Sequence, residues 1–380
     1  MSDSKAARIL FALAALVYLF LQNWTPQEAD AEVGFQATRA VALRGEYYLS
    51  PDTPGAVLIL RTTEPVHGDA YNCRREENGT RQYPYWGLAY ITSGVPFYYI
   101  GHFLDLAFPT VNEQFAKQSY CAEGIQGSEY FARILVFSMQ PLSAALALVF
   151  VMIAARRCGA SLFAALAASL CFGFCSNLGM QARSGLSDAM AVATVAWAVE
   201  RAIAAGKSGR AFDAVTLGIA LGIGLLIKVH TVFAVAALPI YLICSRESRW
   251  NIYRITAGVT AGMAPFLAIF FIANHVRWGS PFITGYEKST AHAWFLIDPV
   301  QGMNALLFSQ SKGVLAYAFP TFTLGMAGLI VLFARRMRAL PVILFISICV
   351  AMLMPASTIE WHGAWSFGPR YALVAFPQLA

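Results

Sequence analysis

The stretch that decides the fold is GVLAYAFPTFTLGMAGLIVLFARRMR, at residues 313–338. It holds no charged residue up to Ala334 and ends in a cluster of arginines. An uncharged apolar stretch of about 20 residues can cross the hydrocarbon core of a bilayer as a helix. Basic residues beside such a helix mark the cytoplasmic side. The stretch therefore predicts a membrane-spanning helix and gives its direction.

The same pattern recurs along the chain, which is 58% hydrophobic and 13% charged. A soluble protein of 380 residues does not need so much apolar surface. A last apolar run begins near Tyr371 and reaches Ala380 too soon to cross a bilayer, so we expect the chain to continue. Together the runs predict an all-α polytopic membrane protein with about ten transmembrane helices. The earlier runs occupy 9–22, 131–154, 161–178, 186–204, 213–227, 231–244, 255–273, 313–333 and 340–356.

The charged residues divide between the two sides of the predicted membrane. With the N-terminus inside, only Asp3, Glu200, Asp213 and Glu247 of the 21 acidic residues lie on the cytoplasmic side. The short cytoplasmic segments are instead rich in lysine and arginine, as the positive-inside rule requires. The net charge of +6 therefore indicates contact with anionic lipid headgroups rather than nucleic acid. The cytoplasmic basic residues are Lys5, Arg8, Arg156, Arg157, Arg201, Lys207, Arg210, Arg246, Arg249, Arg254, Arg335, Arg336 and Arg338.

This topology divides the chain into three parts: a first transmembrane helix at 1–24, a long outer loop at 25–130 and a multi-span domain at 131–380. The first apolar run is short, and Ala29-Asp30-Ala31 has the small-x-small form of a signal-peptide cleavage site. The polar segment before it favours an uncleaved signal anchor.

Two surface helices are expected in the outer loop. The first covers 26–44, with Thr25 as its N-cap, and has an amphipathic pattern. The second covers the aromatic stretch 85–107, which could also be a re-entrant segment. Cys73 and Cys121 lie in the same loop and could form a disulfide in an oxidising compartment.

The apolar stretch 213–244 is interrupted by Lys228-Val229-His230. A single helix of that length would be much longer than the hydrocarbon core is thick. Two short helices are therefore predicted, with Lys228 recessed into the outer leaflet. The lysine and histidine in so tight an outer turn suit phosphate binding, and the alternative is a lysine that snorkels at a helix end.

Asp30 and Glu32 follow the first span at the membrane surface. A carboxylate that is partly shielded from water can act as a base, or bind a divalent cation such as Mg²⁺ or Mn²⁺. The alternative is a solvated helix N-terminus, where acidic residues are favoured by the helix dipole.

Further polar and aromatic residues lie in the later outer loops. Polar, glycine-rich backbone at a membrane surface normally lines a cavity, as in the loop 274–312. Aromatic faces pack on sugars, and arginine binds phosphate bidentately. The loop 274–312 and the last loop, which runs from Glu360 to Tyr371, could instead anchor the protein at the membrane interface. Asp188, at the outer end of the run 186–204, is either a site residue or a helix cap. The candidate residues in these loops are Tyr286, Lys312, Glu360, His362, Trp365, Arg370 and Tyr371.

The recognised short signatures of soluble enzymes are missing from the chain: it has no P-loop, HExxH, GxSxG or Cys/His metal pattern. Five short segments, or blocks, on the predicted outer side form a pattern that can be compared with membrane enzymes. They are Asp30 followed by Gly45-Glu46-Tyr47, and the segments 83–87, 222–228, 278–286 and 364–371.

In this order the blocks resemble integral-membrane glycosyltransferases of the GT-C class, above all the protein mannosyltransferase-like and aminoarabinose transferase-like members. In that family an Asp follows the first span and precedes a surface helix that ends in Gly plus an aromatic residue. Members often have Glu directly after this Asp. This chain has Ala31 there and places Glu32 one position later.

The resemblance implies a GT-C-like bundle that moves a sugar from a polyprenyl-phosphate donor to an acceptor hydroxyl, with inversion. Asp30, with Glu32, would be catalytic, and Lys228, Arg370 and Lys312 would bind the donor phosphate. The acceptor would be a protein, a lipid or a polysaccharide, and the site would face the periplasm from a bacterial inner membrane. The implied substrate-binding residues are Asp188, His230, Tyr286, Glu360, His362, Trp365 and Tyr371.

Two other classes remain open. A transporter or flippase usually has polar residues at mid-membrane on broken helices, and Pro265 and Pro320 could break helices here. A polymerase or ligase of surface polysaccharide would share the lipid-phosphate chemistry. A covalently modified acceptor, rather than a moved solute, would separate these classes.

Overall fold

The structure, a computed structural model, describes residues 2–22, 29–49, 73–75, 82–84, 87–116, 129–244, 252–284, 297–335, 339–358 and 370–380. Side chains are described throughout these ranges except at 29, 30, 73–75, 82, 115, 116 and 252.

The first half of the chain combines helices with one small hairpin. A two-stranded antiparallel sheet pairs β1 (Cys73–Arg75) with β2 (Gln82–Pro84). The first half contains the helices α1 (Asp3–Leu21), α2 (Ala29–Arg44), α3 (Leu88–Ala107), α4 (Pro109–Ala116), α5 (Tyr130–Phe137), α6 (Met139–Arg157), α7 (Leu162–Phe174) and α8 (Leu178–Arg183).

The described part of the second half consists of helices and the short segments that connect them. A 3₁₀ helix closes it at Arg370–Gln378. The α-helices are α9 (Asp188–Ser208), α10 (Ala211–Ile227), α11 (Thr231–Val235), α12 (Leu238–Cys244), α13 (Ile252–Trp278), α14 (Pro299–Phe308), α15 (Val314–Ala334) and α16 (Ala339–Ala356).

Six helical segments in the described chain are long and apolar enough to cross a membrane. The all-α polytopic membrane class is therefore confirmed. The other predicted spans coincide with shorter apolar helices at 162–174, 211–227 and 231–244 and with the closing 3₁₀ helix, so a total of ten spans stays a prediction. The six segments are Asp3–Leu21, Tyr130–Arg157, Asp188–Ser208, Tyr253–Trp278, Val314–Ala334 and Ala339–Ala356.

The predicted interruption at Lys228 is confirmed. Helix α10 ends at Ile227, and Lys228 has extended backbone, with φ −161° and ψ 122°. Helix α11 begins three residues later, with His230 at its N-cap position. The ammonium group is therefore held at a helix break, and the Lys228 side chain is only 9% exposed.

The first helix of the outer loop differs from the sequence prediction. Its described part is Ala29–Arg44, and residues 26–28 of the predicted range lie outside the described residues. Residues 31–38 are all buried, whereas an amphipathic helix on the surface was expected. It packs between α3 and α5, and its polar side chains are buried because partners are present. Thr38 donates to the carbonyls of Gly34 and Ile91, at 2.9 and 3.2 Å.

The core has two parts. The larger one forms where α9 packs against α6, α10 and the closing 3₁₀ helix, and where α1 packs against α6. The smaller one joins α2, α3 and α5 around Phe35, Tyr90 and Tyr98, each at most 2% exposed. Apolar side chains that face outward on α1, α13 and α15, such as Phe20, Ile272 and Ile330, suit contact with lipid. The smaller core therefore holds the outer loop's helices on the membrane domain.

Candidate functional site

The centre of the candidate site is a buried ion pair between Lys228 and Asp188. The Lys228 Nζ atom lies 2.5 Å from Asp188 Oδ1, and the two side chains are 9% and 3% exposed. Asp188 was left open in the sequence as either a site residue or a helix cap. The N-cap of α9 is Ser187, and the Asp188 carboxylate accepts a hydrogen bond from the lysine.

Tyr371 forms a platform beside this ion pair. The His230 ring stacks on the Tyr371 ring, with centroids 5.5 Å apart and planes 5° from parallel. Lys228 Nζ and Arg370 Cζ each lie 5.0 Å from the centre of the tyrosine ring. Arg370 also donates from Nη2 to the tyrosine hydroxyl at 3.1 Å. One aromatic ring therefore organises three basic side chains.

We call these five residues, Asp188, Lys228, His230, Arg370 and Tyr371, the basic cluster. Lys228, Arg370 and His230 all interact electrostatically with the single carboxylate of Asp188. Their charges act in a mostly buried environment, where an electrostatic interaction is much stronger than in water. A lysine, an arginine and a histidine together form a suitable receptor for a phosphate group.

A second arginine, Arg277 at the end of α13, lines the same cavity as Lys228. Its Nη2 atom donates to the Pro84 carbonyl at 2.5 Å, and its guanidinium lies 5.2 Å from the centres of the Tyr47 and Trp278 rings. Burial raises the pKa of the Tyr47 phenol, and the positive charge of Arg277 offsets part of that rise. Arg277 therefore joins the segment after α2, the hairpin and the end of α13.

A close backbone contact brings Gly87 against the end of α10. A Cβ atom at Gly87 would lie 2.1 Å from the Leu226 carbonyl oxygen and 2.3 Å from that of Ile227. Only glycine fits there without displacing backbone. Four of the sequence blocks, those at 45–47, 83–87, 222–228 and 278–286, thus contribute residues to one region.

A small cavity lies between the two basic side chains. Its described lining includes Lys228, Arg277, Asn274, Thr284 and Gly87, with apolar residues of α10 and α13. The space open to the centre of a water molecule is about 20 Å³. That is room for about one water molecule, so a larger ligand requires the lining to open. The described lining carries two cationic side chains and no carboxylate.

The first turn of α2 lies close to the basic cluster. The Cβ atom of Ala31 is 3.1 Å from the position that a Cβ atom would take at Gly185, and Tyr90 donates to the Gly185 carbonyl at 2.6 Å. Gly185 adopts φ +71°, and Asp188 follows three residues later. The backbone of Asp30 belongs to this first turn. The predicted base and the basic cluster therefore sit at the same end of the bundle.

Glu32 is occupied by a different partner. Its Oε1 atom accepts from Arg133 Nη2 at 3.0 Å and from Gln36 Nε2 at 2.8 Å, and its Oε2 atom accepts from Arg133 Nε at 3.0 Å. Glu32 is 1% exposed and Arg133 is 7% exposed. A divalent cation at Asp30 and Glu32 would have to displace this arginine. In the described part of the chain, no three His, Cys, Asp or Glu residues are grouped as metal ligands.

The remaining predicted site residues are distributed as follows. Lys312 lies half-buried in the turn between α14 and α15. Tyr286, Glu360, His362 and Trp365 lie outside the described residues, as does Cys121.

Two residues of the region were missed in the sequence. Arg133 is the single charged residue in the run 131–154, and an ionisable residue inside a span is a signal of function or of a buried partner. Arg277 lies in a loop that was recognised as polar, but the sequence does not show that Tyr47 would pack beneath it.

No family model matches this chain, and neither a curated protein nor a solved structure matches it.

Proposed function

We propose that the protein is a membrane glycosyltransferase that moves a sugar from a polyprenyl-phosphate donor to an acceptor hydroxyl at the outer face of the membrane. The observation that carries this proposal is the basic cluster: Lys228, Arg370 and His230 arranged around Asp188 and Tyr371. A phosphate that remains attached to a lipid must be bound where the bilayer meets the protein. A lysine recessed at a helix break suits such a ligand.

The proposed sugar transfer requires few catalytic side chains. The leaving group is a lipid phosphate, which is already a weak base, so cations that stabilise its growing negative charge are sufficient. Lys228 and Arg370 supply that charge, and Lys312 adds to it if the loop brings it near. Asp30 takes the proton of the acceptor hydroxyl as its oxygen attacks the anomeric carbon. The attacking oxygen and the leaving phosphate lie on opposite sides of that carbon, so the configuration inverts.

The proposal extends to topology and location. About ten helices cross the membrane, with the N-terminus in the cytoplasm and the cluster on the outer side. The setting that fits best is a bacterial inner membrane with the site facing the periplasm. The acceptor is a protein, a lipid or a polysaccharide.

A transporter is the second candidate, and one observation favours it. Helix α15 is broken at Ala318, with φ −141° and ψ 27°, two residues before Pro320. Thr321 donates there to the carbonyls of Cys171 and Cys175, at 3.2 and 3.0 Å. Broken helices of this kind form the binding sites of many transporters.

A transfer assay separates the candidates. Membranes that contain the wild-type protein are incubated with radiolabelled polyprenyl-phosphate sugars and compared with Asp30→Asn and Asp298→Asn. Asp298 caps α14 by accepting from the Val300 amide at 3.0 Å, and asparagine preserves a cap, so it is the matched control.

We expect label on an acceptor with the wild type and the control, and a loss of about 100-fold or more with Asp30→Asn, since a general base contributes that much. Full transfer by Asp30→Asn would contradict the proposed base. Movement of an unmodified solute without transfer would favour the transporter.

A further inference from the structure

The neighbouring carboxylates Asp30 and Glu32 suggested a shared catalytic role, but the Glu32 carboxylate is bound by Arg133. We infer that Glu32 is a positioning residue: with Arg133 it holds the first turn of α2, and therefore Asp30, against the membrane domain. The inference rests on the proposed function in one respect, namely that Asp30 is the residue whose position matters.

The geometry of the pair supports a mechanical role. Both Glu32 oxygens accept hydrogen bonds from the Arg133 guanidinium, at 3.0 Å each, which is a bidentate arrangement. Gln36, one helical turn along α2, donates to the same carboxylate at 2.8 Å. Both oxygens of the Glu32 carboxylate therefore already have partners on α2 and α5.

The arginine is also held on its other sides. Its Cζ atom lies 4.6 Å from the centre of the Phe35 ring, and its Nη1 atom donates to the Glu129 carbonyl at 3.4 Å. Arg133 lies in the first turn of α5, which continues into the long span Tyr130–Arg157. The pair thus connects a helix of the outer loop to a rigid transmembrane element, across 101 residues of sequence.

The pair lies next to the contact between α2 and the segment that leads into Asp188, so its loss is expected to disturb that contact. Ala31, the residue before Glu32, contacts the segment at Gly185 that leads into Asp188. Breaking a buried ion pair by removing one charge leaves the other charge uncompensated and is strongly destabilising. The local result is a loosened first turn of α2, and Asp30 belongs to that turn.

A matched set of variants tests the inference on the full-length protein. Glu32→Gln and Arg133→Gln each remove one charge of the pair, and the double variant removes both. Arg44→Gln is the control, because it breaks the exposed Arg44–Glu46 pair, at 2.7 Å, near the other end of the same helix. Hydrogen exchange of the amides in 29–44 is measured beside the steady-state kinetics of sugar transfer and their pH dependence.

A positioning role predicts that both single variants lower kcat by a similar factor of about 10 or more, with the donor KM within about twofold. The pH profile keeps its shape, and exchange in 29–44 rises about tenfold or more. The double variant is no worse than either single variant, because the two residues act as a unit. The control resembles the wild type in every respect.

Two results would overturn the inference. One is a pH profile that loses a limb in Glu32→Gln while Arg133→Gln stays active, since this identifies Glu32 as an acid or base. The other is unchanged exchange in 29–44 in both single variants, which means that the pair does not hold α2. If the wild type transfers no sugar, the proposed function fails, whereas the exchange measurement still decides whether the pair anchors the helix.

Discussion

At the scale of single residues, Tyr371 deserves the first test, because three basic side chains meet at its ring. Its hydroxyl accepts from Arg370 at 3.1 Å, and its face supports Lys228 and Arg370 at 5.0 Å. These two contributions can be separated by substitution. Phenylalanine keeps the ring and removes the hydroxyl, whereas leucine removes both.

Tyr371→Phe is expected to weaken binding of a polyprenyl phosphate by about 1 kcal/mol, the value of one hydrogen bond. Tyr371→Leu is expected to cost about 2 kcal/mol or more, because two cation–π contacts are lost as well. Isothermal titration of the purified protein measures both. Equal losses in the two variants would mean that the ring does not organise the cations.

At the scale of helices and segments, the apolar runs in the sequence predict most of the described apolar helices to within a few residues. The run 340–356 corresponds to Ala339–Ala356, and the run 213–227 to Ala211–Ile227. The break at Lys228 was predictable because a charge in mid-run makes a continuous span unfavourable. Such features depend on local composition, which the sequence displays directly.

The contacts between segments were less predictable. The sequence indicates that Asp188, Lys228 and Arg370 share the outer side of the membrane, but not that all three would interact. The Glu32–Arg133 pair joins residues 101 positions apart, so no local pattern reveals it. The buried face of α2 was mistaken for a surface face because its polar residues find their partners on other helices.

Gly87 tests the packing of the outer loop on the membrane domain. A methyl group at Gly87 would meet two backbone carbonyls at 2.1 and 2.3 Å, so α3 must move away from α10. We expect Gly87→Ala to destabilise the protein by about 1–3 kcal/mol, as overpacking does. Thermal unfolding in detergent is the measurement.

The matched control is Gly328→Ala on α15. A Cβ atom there would meet nothing within 4 Å, and alanine favours helix over glycine by about 1 kcal/mol. We therefore expect Gly328→Ala to be neutral or slightly stabilising. A midpoint for Gly87→Ala that equals or exceeds that of the control would contradict the close approach of Gly87 to α10.

At the scale of the whole molecule, the distribution of charge predicts which face is outside. Many basic residues lie at one set of helix ends, which the positive-inside rule predicts to be cytoplasmic, and the basic cluster is predicted to lie on the other side. Chemical labelling of single cysteines introduced at exposed positions measures which face is outside. Ser311 is exposed in the turn that contains Lys312, and Ser4 is exposed at the start of α1.

We expect a membrane-impermeant maleimide to label Ser311→Cys in intact cells and Ser4→Cys only after permeabilisation, once the labelling of wild type is subtracted. The reverse pattern would place Lys228 on the cytoplasmic side and would contradict a site that faces the periplasm.

The whole account depends on the basic cluster as a receptor for a lipid phosphate, and one binding measurement tests that claim most directly. The affinity of the purified protein for a sugar-free polyprenyl phosphate is compared among the wild type, Lys228→Gln and Arg335→Gln, which removes a positive charge at the other end of the bundle. The account predicts that Lys228→Gln weakens binding by about tenfold or more, since hydrogen bonds to charged groups contribute about 1.5–3 kcal/mol. Arg335→Gln is expected to bind like the wild type. Equal affinity of Lys228→Gln and the wild type would contradict the phosphate site.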